Sequence, residues 1–102
     1  MIIQCEVHRQ RNQIDKAEAL ARKAVEMGPR ISYAHAYLGT FLLFINDLIE
    51  SEYELRKAIG LNENNYEFHY RLSQILEEKG KIAEAEAEKE ISKQLQKRFA
   101  RY

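Results

Sequence analysis

The chain has 102 residues, enough for one domain with a modest core and none to spare for a second. Sixteen lysines and arginines cancel sixteen aspartates and glutamates, which excludes the strong basic excess of a nucleic-acid binder, and a 45% hydrophobic content excludes a disordered tail. A single cysteine, Cys5, excludes an internal disulfide, in keeping with a reducing compartment. The longest apolar run, from Tyr37 to Ile45 and broken only by Gly39 and Thr40, is far short of the roughly 20 residues of a membrane span. The opening "MIIQCEVHR" lacks a basic segment followed by a long apolar one, so it does not read as a signal peptide. The expectation is a cytoplasmic protein, or a domain cut from a longer one.

Apolar residues recur with helical spacing along the whole chain, and no stretch alternates with a two-residue period rich in β-branched side chains. The spacing predicts about six helices, over 1–11, 14–28, 32–45, 48–61, 66–79 and 82–100. The breaks are Arg11-Asn12-Gln13, Gly28-Pro29-Arg30, Ile45-Asn46-Asp47, Asn62 to Asn65, and Glu78 to Lys81. Glycine, proline and asparagine are the residues that end helices, and such short connections join antiparallel helical hairpins.

Shifting the chain by 34 brings its breaks into register. Asn12, Asn46 and Gly80 fall together at the turn of each hairpin, followed by Ile14, Leu48 and Ile82. Ala17, Ser51 and Ala85 align, as do Ala24, Ala58 and Ser92, and near the hairpin ends Met27, Leu61 and Leu95. Gly39 aligns with Cys5 and Ser73, so that place is small in all three units. Glycine in a helix costs about 1 kcal/mol relative to alanine. A place that is always small marks a close approach of two backbones, and Ser51 is the expected reciprocal small residue opposite Gly39.

A 34-residue helix–turn–helix unit with these small positions resembles the tetratricopeptide repeat. The middle unit carries the likeness best: Leu38-Gly39 stands where the family has its Leu-Gly pair, Ala58 and Leu61 match its second helix, and Pro29 takes the proline slot that closes the unit before. The third unit keeps Leu72, Ser73, Leu76, Gly80, Ile82 and Ala85. Departures are His35 and His69 in tryptophan slots, Met1 at the corresponding place of a truncated first unit, Glu63 in the later proline slot, and Ser51 and Lys89 in place of an alanine and an aromatic. The resemblance implies a single all-α domain over 1–102, a right-handed superhelical solenoid of antiparallel helix pairs with units near 1–31, 32–65 and 66–99 and a long last helix, 82–100.

The resemblance further implies that the first helix of each unit lines a concave groove. Projected this way the middle unit offers Tyr33, Ala36, Tyr37, Thr40, Leu43 and Phe44, the third Glu67, Tyr70, Arg71, Gln74 and Glu78, and the first Glu6, Arg9 and Gln10. The aromatic residues with polar tips suit a peptide ligand, with Arg9, Arg71 and Gln74 orienting it. The carboxylate clamp of some family members is not evident, since Ala36, Thr40, Tyr70 and Gln74 stand on that face. An uncapped solenoid end exposes core. Ile2, Ile3 and Val7 at one end, and the stripe Ile91, Leu95 and Phe99 at the other, are therefore candidate self-association surfaces, and a homodimer is an alternative reading. A scaffold region of a larger enzyme is another.

Residue types suited to catalysis or metal binding do not converge. His35 and His69 are 34 apart, but no carboxylate or cysteine lies three or four residues from both, so they read as fillers of the large-aromatic slot, and His8 as a core residue. Cys5 has no base at a recognisable spacing and occupies a small-residue place. Glu84, Glu86, Glu88 and Glu90 lack the glycine turn of a calcium loop and read as a solvated helix face, with Lys89 beside Glu86. The basic run from Lys93 to Arg101 reads as a helix C-terminus complementing its dipole. The sequence therefore predicts a non-catalytic protein-interaction module, with a protein or peptide partner, no cofactor or metal, and neither nucleic acid nor membrane as its target.

Overall fold

The computed structural model describes residues 2–99, with side-chain surroundings from residue 11 onward. Five helices follow in order: α1 (Ile2–Met27), α2 (Ser32–Phe44), α3 (Leu48–Leu61), α4 (Tyr66–Glu78) and α5 (Ile82–Phe99). No strand occurs among the described residues. No helix there is long and apolar enough to cross a membrane. Each helix packs on the next, and α2 also touches α4 across the hairpin between them. This is an all-α solenoid of antiparallel helix pairs.

Two of the hairpin turns share one backbone device. The Asn46 N–H donates to Leu43 O at 3.0 Å and the Asp47 N–H to Leu42 O at 2.8 Å. One repeat later, Gly80 donates to Glu77 O at 3.0 Å and Lys81 to Leu76 O at 2.8 Å. These paired bonds form the Schellman closure, which needs a left-handed residue just past the helix end. Asn46 supplies it at φ 67° and Gly80 at φ 80°. Asparagine tolerates this region because its short polar side chain bonds locally. Between α3 and α4, Asn65 caps α4, its side-chain oxygen accepting from Glu67 N–H at 2.9 Å.

The first of the six expected helices does not separate. Arg11, Asn12 and Gln13 are helical and exposed within an unbroken α1, which corrects the predicted turn there. None of the three is glycine or proline, and asparagine in a helix costs at most about 0.7 kcal/mol relative to alanine, so the local sequence permits both states. At Asn46 and Gly80 the choice is forced by the core formed when the chain reverses.

That core lies in two clusters. Ala36, Leu55, Ala58, Phe68, Leu72, Ile75, Leu76 and Ala85 are buried together with Leu43 and Ile59 at their edge. Ala21, Leu38 and Leu42, with Val25 and Ile45, form a second cluster joining α1 to α2. Gly39 sits where α2 and α3 come closest. A Cβ there would overlap Leu55 Cδ2 and stand 3.1 Å from the Ser51 carbonyl oxygen. The Ser51 hydroxyl donates to Gly39 O at 2.5 Å, so the two small residues meet as expected. Ser73 repeats the theme, fully buried with its hydroxyl donating to Tyr70 O.

Candidate peptide-binding cleft

The packing of α4 beside α2 opens a cleft of about 290 Å³ between them, lined by Tyr33, Ala36, Tyr37 and Thr40 from α2 and by Glu67, Phe68 and Arg71 from α4. The i, i+4, i+7 spacing of Tyr33, Tyr37 and Thr40 places them on one helix face. Tyr33 and Tyr37 remain about three-fifths exposed. Phe68 is buried and forms the floor, meeting the Tyr33 ring edge-on at a centroid distance of 5.3 Å and 74°. Asn65 Nδ2 donates to the Tyr33 hydroxyl at 3.0 Å, which fixes the ring from the rim. Arg71, which donates to Gln74 Oε1 at 3.0 Å and keeps further guanidinium N–H donors, lines the cleft together with Glu67. The surface is therefore aromatic and apolar at its base and carries both signs of charge on its α4 wall.

The structure thus brings together Tyr33, Tyr37, Thr40 and Arg71 of the predicted groove. Tyr70 and Gln74 lie beside it: Tyr70 shares one depression with Tyr66, Arg71, Ser92 and Gln96, and another with Gln74, Glu77, Glu78 and Lys89. Phe44 is set apart, lining a separate groove with Gln13, Ile14, Ala17 and Phe41. Leu43, projected onto the groove, packs instead against the main core. The side chains of Arg9, Ile2, Ile3, Cys5 and His8 lie outside the described residues. Among the proposed self-association residues Ile91 and Phe99 are exposed, but Leu95 is buried within its own chain, which corrects the three-residue stripe. Leu95 follows Ser92 by three residues, on the side of α5 whose Ser92 hydroxyl donates to Tyr66 O at 2.9 Å.

The two repeat-related histidines have defined partners. His35 Nδ1 lies 2.9 Å from a Glu54 carboxylate oxygen and its Nε2 2.7 Å from Pro29 O. His69 Nδ1 lies 2.7 Å from Glu88 and its Nε2 2.9 Å from Glu63 O. Every member of the second set lies one repeat beyond its counterpart in the first. The imidazole therefore ties three segments of a unit: its own helix, the helix after it and the loop before it. A main-chain carbonyl serves as acceptor, so Glu63 replaces Pro29 without loss. Both ring nitrogens are engaged, and no group of three or more potential ligands stands together among the described residues. Sequence reasoning missed Glu54 and placed Glu88 on a solvated face, which its bond to His69 corrects, because each is far from its histidine along the chain, at a separation of 19. Their own spacing of one repeat was the available signal.

Surface ion pairs lace the helices. Arg22 of α1 donates to Glu18 at 2.9 Å and, with two nitrogens, to Glu50 of α3 at 2.7 and 3.0 Å. These bonds push the guanidinium further up and hold the Glu50 carboxyl below the usual range. Lys79 Nζ donates to Glu52 at 2.6 Å, chiefly responsible for the lowering of the Glu52 carboxyl, and Arg56 adds a second bond at 2.8 Å. Lys89 reaches Glu77 at 2.9 Å and the neighbouring Glu86 at 3.8 Å.

A solved structure titled MamA MSR-1 C2 superposes on this chain with a TM-score of 0.77 and 25% sequence identity, over 87% of this chain and 51% of that one. The fold is a tetratricopeptide-like helical repeat. This chain spans about half the length of the structure it matches. No protein-family model matches the sequence, and no curated protein sequence matches it.

Proposed function

We propose that this chain is a non-catalytic protein-interaction module of about three tetratricopeptide-like units, and that it binds an extended peptide in the α2–α4 cleft. The observation that carries the reading is the pair of half-exposed tyrosines, Tyr33 and Tyr37, standing over the buried Phe68 and flanked by Arg71. Rigid aromatic rings with polar tips lose little conformational freedom on binding and dominate protein interfaces. An apolar peptide side chain would sit between Tyr33 and Tyr37, while Arg71 and Glu67 select the polar groups that flank it.

The test is a screen of peptides against the full chain, with affinity read by fluorescence anisotropy. For a peptide so found, Tyr37→Ala is expected to weaken binding at least tenfold with an unchanged melting curve. Tyr53→Ala, which alters an exposed tyrosine of α3 outside this cleft, is the control and should leave affinity unchanged. Equal affinity of the Tyr37→Ala variant and the parent would overturn the reading.

A further inference from the structure

Beside the unbroken α1 runs a groove against α2, lined by Gln13, Ile14, Ala17, Phe41 and Phe44. Phe44 is 80% exposed there, and Leu20 on α1 is 67% exposed. In the second and third units the corresponding space is filled, because α2 lies against α3 and α4 against α5. The element that would fill it in the first unit is the segment 1–11, since Cys5 stands one repeat before Gly39 and Asn12 one repeat before Asn46. In this structure residues 2–11 instead continue α1 without a break, so they cannot fold back onto the groove of their own chain.

We propose that the groove is filled by residues 1–11 of a second copy of the chain, giving a dimer with exchanged N-terminal helix halves. A turn that straightens into continuous helix is the usual hinge of such an exchange. The α1 helices, each about 39 Å long at 1.5 Å per residue, then pair antiparallel about a two-fold axis near residues 11–12. Every contact is made twice, as closed two-fold symmetry requires. The register supplies the complementarity. Leu20 is the counterpart of Glu54 and Glu88, and Met1 the counterpart of His35 and His69, so the pair that is polar in the later units becomes apolar in the first. The exposure of Leu20 follows from the missing partner. Cys5 and Ala17 are the counterparts of Gly39 and Ser51, which touch, so Cys5 of one copy falls against Ala17 of the other. The exchange uses none of the residues that line the Tyr33–Tyr37 cleft.

Solution mass is measured by light scattering over a concentration series for the chain and two hinge variants, with helicity checked by circular dichroism. The parent and Asn12→Ala are expected at twice the 12.0 kDa chain mass. Asn12→Gly lowers helix propensity and favours the left-handed turn found at Gly80, and should weaken the dimer at least tenfold. Ala17→Cys, oxidised and run on a non-reducing gel, is expected to give a covalent dimer that disappears when Cys5→Ser is added. A parent chain that stays at single-chain mass overturns the proposal. So does a dimer indifferent to both Asn12→Gly and Phe44→Glu. A Cys5-dependent cross-link within one chain, or none at all, overturns it as well, by showing that the groove is closed internally or left empty.

Discussion

At the scale of single residues, Gly39 and Gly60 make opposite cases for the same amino acid. A methyl at Gly39 meets Leu55 and two backbone atoms of α3, whereas at Gly60 nothing lies within 4 Å. Gly39→Ala should therefore lower stability by about 1–2 kcal/mol, overpacking outweighing the gain in helix propensity. Gly60→Ala should raise it by about 0.5 kcal/mol, since only propensity changes. Urea unfolding of both variants checks the contrast, and a Gly39→Ala chain as stable as the parent would show that α2 and α3 can part without cost. The His35–Glu54 pair supplies a second prediction. Both side chains are at least nine-tenths buried, so Glu54→Leu leaves a ring nitrogen without a partner and should cost about 2–3 kcal/mol. The double variant His35→Leu/Glu54→Leu should recover most of that loss, because neither polar group then remains. A double-mutant cycle measured by chemical denaturation decides it.

At the scale of elements, the ion pairs between helices set the acid limb of stability. Glu52 holds Lys79 at the end of α4, and its side chain is 15% exposed against 23% for the lysine. The folded-state value of Glu52 is lowered from the ordinary 4.5, as is that of Glu50 beside Arg22. In acid the unfolded chain thus binds more protons at these sites than the folded one. Their contribution is complete above pH 4.5 and is lost as pH falls through the lowered folded values. For the partly buried Glu52 this is about 1 kcal/mol, and for the more exposed Glu50 a few tenths. The melting temperature should fall between pH 5 and pH 3 (about two pH units). Glu52→Gln should flatten that fall while lowering the melting temperature at pH 7, and an unchanged slope would remove Glu52 from the account.

At the scale of the whole molecule, contacts run only between near neighbours, and among the described residues neither α1 nor α2 packs on α5. Stability in such an array is a sum of units and the interfaces between them. Leu42→Ala, which empties the α1–α2 cluster, should cost about 2–4 kcal/mol locally. Amide exchange should then rise in α2 and α3 while α4 and α5 keep most of their protection. Uniform loss of protection along the chain would indicate a single cooperative unit instead.

Much of this architecture is legible in the repeat register. Gly39 opposite Ser51, the Asn46 and Gly80 turns, and the bounds of α2 to α5 all follow from local rules: a small residue where backbones touch, and a left-handed residue where a helix ends. Those rules operate within a few residues or within one repeat, so the sequence by itself determines them. The placing of Tyr33, Tyr37, Thr40 and Arg71 along one groove comes instead from the resemblance to the repeat family. What only the tertiary structure decides are the meetings of distant residues. Phe68 becomes the floor of the cleft because α4 packs beside α2, Phe44 turns toward α1 instead, and Leu95 is buried rather than free. Glu54 and Glu88 become histidine partners because the hairpin folds each of them back onto the helix before it. At Arg11-Asn12-Gln13 the local preferences balance, since asparagine accepts both a helix and a left-handed turn. There the conformation rests on what packs beside the segment, and residues 11–13 alone do not encode it.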